Sequence, residues 1–331
     1  MKRGLLGTFF DIFNIEPTLI TLWIMSLVSA NIVFFLIYNY TKRLLSSAPN
    51  YSLVLFILFF TISPATAWNF GFYAGRADIF NLVIELVIIY ILIRNNKFML
   101  YFIPLFIVMG ILLHEAFIFM NAPVIIALLI IRFTERKLPF SVVIISAGLI
   151  IIVTLLLILY GKIDPINFEI LYSTIYKQPV PSELPAIHPF MIVTSDLSDN
   201  ILFTLKQYFT VNVWKYFIPV LPLLFAYMYI YLKSLTFYSL SIEKKILFLS
   251  PFLVFPMFVL GVDIYRWFSM MLINMYIVML YLVYINTINF SFFKDKYVKV
   301  ALYIIVAYSL LGPIGSRNSL PYLELIVRKI L

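Results

Sequence analysis

The sequence has no cysteine and only two histidines. Without a thiol, disulfides, thiolate nucleophiles and zinc–thiolate sites are excluded. His114 and His188 alone are too few for a histidine-rich metal centre, and no metal or other cofactor is expected. Charge is scarce as well. Asp, Glu, Lys and Arg make up 12% of the 331 residues, whereas 63% are hydrophobic. A soluble domain carries about 25% charged residues, and a globule of this size has too little interior to hide so much apolar surface. A soluble enzyme, a disordered chain and a secreted module are therefore ruled out. G-x-x-x-x-G-K-[ST], G-x-G-x-x-G and G-x-S-x-G are all missing, which removes nucleotide engines and the α/β-hydrolase nucleophile. The apolar runs are too long, and too little alternating, for an outer-membrane barrel.

What is present reads as an all-α, polytopic integral membrane bundle. Apolar runs between charges fall at 18–40, 51–70, 79–93, 98–113, 117–131, 139–160, 214–232, 246–262, 268–287 and 299–312. At ~20 residues per span, these predict about ten transmembrane helices, several of them short enough to require tilt or local thinning. The chain reads as one domain over 1–331, with one large extracytoplasmic loop at 161–213 and no internal repeat. The N-terminal MKRGLLGTFFDIF does not read as a signal peptide, because Asp11 interrupts its apolar run. Residues 4–15 read instead as a short interfacial helix.

The net charge of +9 would suggest nucleic acid in a soluble chain. Here it reflects positive-inside bias and contact with membrane lipids, and no nucleic-acid partner is expected. Thirteen of the 24 basic residues, among them Arg94, Lys97, Arg132, Lys137, Lys233, Lys244 and Lys296, lie in five short loops. Those loops are expected in the cytoplasm. The opposite, outward side then receives 71–78, the hairpin at His114-Glu115, the loop 161–213, the turn at Asp263–Arg266 and the C-terminal stretch 313–331.

Most of the unusual polar residues fall on that outward side. An ionisable group at membrane depth is unfavourable by about 2.5–3.5 kcal/mol or more, so each needs a partner, water or a task. Gly75-Arg76-Ala77-Asp78 opens the third span, and Asp78, Asn81 and Glu85 follow on one helical face. The bland reading is a boundary Arg–Asp pair with Asp78 as helix cap. His114-Glu115 lies near the turn of an apolar stretch with basic flanks, and His114 and Asn121, at i and i+7, would share a face of a continuous helix. Its bland reading is a polar hairpin cap. Asp263 and Arg266 can pair at i, i+3, and Arg266, Met270 and Asn274 form a stripe. A snorkelling Arg with a local partner would explain them equally. Arg317 lies in a C-terminal loop, where an arginine is unremarkable.

Arginine is the natural binder of phosphate, through its planar fork. A carboxylate or imidazole beside it can act as general base. Glu115, with His114 as the second choice, could take a proton from a sugar hydroxyl that attacks an anomeric carbon carrying a lipid pyrophosphate. Arginine would neutralise the charge on that leaving group.

Gly75-Arg76-Ala77-Asp78, His114-Glu115 with Asn121, and Asp263-x-x-Arg266-Trp267 together resemble the Wzy-type and EpsG-type polysaccharide polymerases of bacterial surface glycans, such as O-antigen and capsule. The resemblance implies an inverting membrane glycosyltransferase of the bacterial cytoplasmic (inner) membrane, with its active site facing the periplasm or exterior. Its donor would be an undecaprenyl-pyrophosphate-linked oligosaccharide, its acceptor a second lipid-linked unit, and a chain-length regulator protein a possible partner. The same resemblance assigns Arg76, Arg266 and Arg317 to pyrophosphate and an acidic residue or histidine to the base; Asp78, Asn81, Glu85, Asn121 and Asp263 are expected to line the substrate site. Two other readings stay open. One is a lipid-phosphate-sugar-dependent transferase adding a single sugar. The other is a flippase or transporter of a lipid-linked or anionic solute.

Overall fold

The structure is a computed structural model that describes residues 19–47, 54, 63–64, 78–161, 197–210, 218–234, 240–261, 263–285, 287–288 and 290–311. Among them every regular element is helical. In chain order the helices are α1 (Leu19–Ser47), α2 (Asp78–Arg94), α3 (Lys97–Leu100), α4 (Ile103–Leu113), α5 (Phe117–Met120), α6 (Ala122–Thr134), α7 (Phe140–Tyr160), α8 (Leu197–Thr210), α9 (Leu221–Lys233), α10 (Ile242–Leu249), α11 (Met257–Leu260), α12 (Ile264–Tyr284) and α13 (Lys296–Leu310). Short 3₁₀ turns at Ile218–Val220, Ser250–Val254 and Phe290–Lys294 join some of them.

Among the described residues, α1, α7 and α12 are long and apolar enough to cross a membrane. Their settings differ. α7 carries no charge over its 21 residues, which at 1.5 Å per residue extend ~31 Å, the thickness of the hydrocarbon layer. Only 17% of its apolar stretch is buried; Ile144, Ile151, Leu155 and Leu159 point outward, a lipid-facing wall. α12 has the same length, but 94% of its stretch is buried. It runs through the interior of the helix group.

Several expected spans are broken, and proline or a polar turn marks each break. The span expected at 98–113 divides at Tyr101–Phe102, with Pro104 in the first turn of α4. The span expected at 117–131 divides at Asn121, with Pro123 in the first turn of α6. The span expected at 246–262 is three pieces, interrupted at Pro251 and Pro256. Each proline lacks an N–H and its ring clashes with the carbonyl one turn back, so it sits comfortably only in a first helical turn. The expected loop 161–213 also needs correction: 197–210 form a helix, α8, whose Tyr208 hydroxyl donates to the Gly261 carbonyl at 3.3 Å. The remainder of that loop, the span expected at 51–70 apart from 54 and 63–64, and the expected interfacial helix at 4–15 lie outside the described residues.

Direction follows from side-chain contacts. Arg266, near the start of α12, meets Asp78 at the start of α2, and further along both helices Ile89 and Ile93 line the same cavity as Leu280 and Tyr284, so α2 and α12 run parallel. Asn95 reverses the chain in left-handed backbone (φ 54°), a conformation asparagine tolerates. Asn96 then caps α3 by accepting from Phe98 and Met99 N–H. α4 therefore returns antiparallel to α2, and its C-cap His114 arrives beside Arg266. At the other end, Arg132 donates to the Leu92 carbonyl, which sets α6 parallel to α2. Lys233, closing α9, bonds Asp295 before α13 at 3.1 Å. There the Tyr297 amide and the Lys233 ammonium hold the Asp295 carboxyl below its ordinary range. Arg94, Lys97, Arg132 and Lys137 thus gather at one end of this helix group, with Asp78, His114, Asp263 and Arg266 at the other.

One close approach makes the α4–α5 corner. A Cβ on Gly110 would lie 2.5 Å from the Phe117 ring, and that ring is fully buried. Gly110→Ala therefore overpacks a site that cannot yield. Thermal melting of the detergent-solubilised protein should show a loss of about 1–3 kcal/mol, whereas Gly148→Ala, with open space around it, should melt as wild type.

Candidate functional site

Five residues from three separated stretches meet at one end of the bundle. Asp78 takes a two-pronged contact from Arg266: Nε donates to Oδ2 at 2.5 Å and Nη2 to Oδ1 at 2.6 Å. Arg266 Nη1 also donates to Asp263 Oδ2 at 3.4 Å. Its guanidinium lies over the Trp267 ring, 4.9 Å from the centroid, and its Nη2 donates to His114 Nε2.

The last contact fixes the imidazole. A guanidinium only donates, so Nε2 presents its lone pair and the proton resides on Nδ1. Nδ1–H then donates to Glu115 Oε2, 3.2 Å away. The Ala116 amide, 3.3 Å from Nδ1, competes for the same atom but suits only the other tautomer, in which Nε2–H would face guanidinium N–H. The result is a chain from Asp78 through Arg266 and His114 to Glu115.

Backbone breaks make this possible. His114 ends α4 in extended conformation (φ −159°, ψ 122°), which swings its ring off the helix and toward α2 and α12. Asp78, His114 and Arg266 are buried. Glu115 and Asp263 have side chains 32% and 35% exposed, so the chain opens outward through carboxylates.

About 10 Å deeper, seven residues at 1.5 Å each, is a second polar layer. Asn121 Nδ2 donates to Glu85 Oε2 at 2.6 Å, and Asn274 Nδ2 donates to the Met120 carbonyl. Asn81 lies one turn before Glu85 on the same face of α2. All four side chains are fully buried.

The structure therefore brings Asp78, His114, Glu115, Asp263 and Arg266 together, and separately pairs Glu85 with Asn121. The expected i, i+3 contact between Asp263 and Arg266 is present. The expected shared face of His114 and Asn121 is not a property of one helix, because 114–116 interrupt it. Both still turn toward α2, where Asp78 and Glu85 are themselves i, i+7. Arg76, Arg317 and His188 lie outside the described residues.

Tyr208 and Gly261 were not singled out from sequence. The Gly261 carbonyl accepts from Tyr208 and, at 3.4 Å, from Trp267 Nε1. Burial, and then the Asp263 carboxylate, push the Tyr208 phenol up to about 12. Helix α8 thus borders the carboxylate mouth, and no local motif around Tyr208 announces it.

In comparisons with known proteins, no family model, no curated protein and no solved structure matches this chain.

The Asp78–Arg266 pair sets a stability test. Removing one partner from a buried ion pair leaves the other charge stranded, typically a loss of about 3–5 kcal/mol. Asp78→Ala and Arg266→Ala should each lower the melting temperature sharply, and the double variant should lose much less than the sum. Additive losses in that double-mutant cycle would show that the two groups are independent.

Proposed function

We propose that the chain is an integral-membrane glycosyltransferase that polymerises lipid-linked oligosaccharide, with its reaction centre at the Asp78/His114/Glu115/Asp263/Arg266 end of the bundle. The observation that carries this reading is the ordered contact Arg266–His114–Glu115, ending in a partly exposed carboxylate. In the proposed step, Glu115 takes the proton of an acceptor sugar hydroxyl. The freed oxygen forms a bond to the donor's anomeric carbon, and the bond from that carbon to the pyrophosphate oxygen breaks. The lipid pyrophosphate departs with the electron pair. His114 holds Glu115, and Arg266 holds His114.

Arg266 is first a positioning residue in this scheme, since two of its nitrogens face Asp78. Its Nη1, only loosely held by Asp263, is the edge a phosphate oxygen would meet, with Arg76 and Arg317 supplying further charge. The reading includes about ten spans, residence in the bacterial inner membrane and a reaction centre on the outer face. The gathering of Arg94, Lys97, Arg132 and Lys137 at the opposite end supports that orientation.

A transporter is the second reading. It is favoured by the buried layer of Asn81, Glu85, Asn121 and Asn274 within the spans, where polar groups often mark a solute path.

Product analysis separates these readings. Purified protein given undecaprenyl-pyrophosphate-linked oligosaccharide should yield a ladder of longer glycan. One added sugar would indicate a single-sugar transferase, and no new bond a transporter. Glu115→Gln keeps shape but cannot accept the proton, so product should fall about 10²–10⁴-fold while donor lipid still binds. His114→Ala should retain a weaker, measurable activity. Normal polymer from Glu115→Gln alongside a dead Glu85→Gln would move the base to α2.

Orientation is open to an independent check. The chain has no native cysteine, so single cysteines at 137 and 244 should react with impermeant reagent only after the membrane is opened. One at 317 should react in intact cells. Labelling at 137 or 244 from outside would invert the proposed topology.

A further inference from the structure

The second polar layer has an excess of oxygen. Asn121 Nδ2 faces a carboxylate and Asn274 Nδ2 faces a carbonyl, and only the N–H end of an amide can do either. The two amide oxygens must therefore point elsewhere. Asn121 Oδ1, Asn274 Oδ1 and Glu85 Oε1 are buried with no hydrogen-bond partner among the described residues, and so are both Asn81 Oδ1 and Nδ2. Asn81 and Glu85 occupy adjacent turns of one face of α2. Asn121 is bonded to Glu85, and Asn274 is bonded to the residue before Asn121. The orphaned atoms are thus four oxygens and one nitrogen in a single neighbourhood.

This set rejects an anion, whose oxygens would meet oxygens. It calls for positive charge, and among the described residues the nearby cationic side chains are committed elsewhere. Arg266 lies toward one end, closed on Asp78 and Asp263. Arg132 lies toward the other, bonded to the Leu92 carbonyl and to Glu135. Each is about seven residues, or ~10 Å, along α2 from Glu85. His114 is engaged by Arg266 and Glu115. An oxygen-only donor set suits a hard cation, and one carboxylate balances a single charge. Magnesium keeps several waters and needs an octahedral shell, which buried amides with 0% exposure do not provide. The break between α5 and α6 at Asn121 adds a feature found at ion sites of membrane proteins, a discontinuous helix at membrane depth.

We infer that Asn81, Glu85, Asn121 and Asn274 bind one alkali-metal cation inside the helical bundle. Glu85 supplies the charge, and the three amides supply neutral oxygens. The site is distinct from the outer cluster and does not depend on the polymerase reading.

The test uses the full chain, purified in detergent at constant ionic strength. N-methylglucamine chloride is replaced stepwise by lithium, sodium or potassium chloride while the melting temperature is followed. A ligand that binds only the folded state raises it saturably. The expected result is a saturable rise with one of the three ions and a binding stoichiometry of one by radiolabelled-ion dialysis. Glu85→Gln should abolish the ion-specific rise. Asn81→Leu should move its midpoint upward at least ~10-fold, and the exposed-site control Arg136→Gln should match wild type. Equal response to all salts including N-methylglucamine, or an unchanged ion response in Glu85→Gln, overturns the proposal. If Glu85→Gln is not recovered folded, an unchanged midpoint in Asn81→Leu overturns it instead. Glycan product formation is scored separately, so failure here leaves the Glu115 reading standing.

Discussion

The buried pair of Asp78 and Arg266 organises this structure. It joins residues 188 positions apart, and both sit at the first turn of their helices. By clamping those turns it sets α2 parallel to α12 and puts their starts at one level. Everything at that end of the bundle depends on that level: the broken end of α4 delivers His114 to the same guanidinium, and Asp263 comes with α12. A buried ion pair is weak evidence for net stability, since desolvation offsets much of the attraction. Its contribution here is registry. A one-turn slip of α2 against α12 would shift Asp78 by about 5.4 Å and strand two charges. The apolar contacts around them, which lack direction, would tolerate such a slip far better.

Registry at the top propagates downward. With Asp78 fixed, Glu85 falls at the depth of Asn121, and Asn274 reaches the carbonyl of Met120. Deeper still, Arg132 closes on Leu92. Polar contacts therefore recur at roughly two-turn steps along α2, each tying it to another stretch of chain. Between them pack Leu82, Leu86, Ile88 and Ile89, almost without exposure. Apolar side chains fill the volume, and the polar rungs select one alignment from the many that apolar helices permit.

Much of this was legible in the sequence. Charges bounding apolar runs placed most helices, because a charge is expensive inside the membrane and cheap at its edge. The Asp263–Arg266 contact follows from helical spacing alone. The Asp78–Arg266 contact does not, because nothing local in either segment names its partner. The shared helical face of His114 and Asn121 fails for a related reason: it requires a continuous helix through 114–121, whereas His114 leaves helical backbone. Helix α8 reads as loop in the sequence because Ser198, Asp199, Asn200, Lys206 and Gln207 dilute its apolar content. Its apolar residues fall in a helical pattern, but they are too few to stand out beside the membrane spans.

The charge at the Asp78/Arg266 end limits what the cluster can hold. Among the described residues it has three carboxylates, Asp78, Asp263 and Glu115, against one guanidinium, Arg266. With His114 neutral, as the Nδ1–H tautomer has it, the cluster is net negative. Such a cluster can draw protons from a bound hydroxyl, because a proton moving onto Glu115 reduces the accumulated charge. It cannot by itself attract a pyrophosphate, which carries the same sign. Phosphate recognition in the proposed reaction therefore needs cations from beyond these five residues. Arg76, two positions before Asp78, and Arg317, beyond α13, are among the cations proposed for that side, as are Lys206 on α8 and Arg328. The two duties, base and phosphate clamp, thus fall to different residues, and the carboxylates that hold Arg266 in place also keep it from serving as the main clamp.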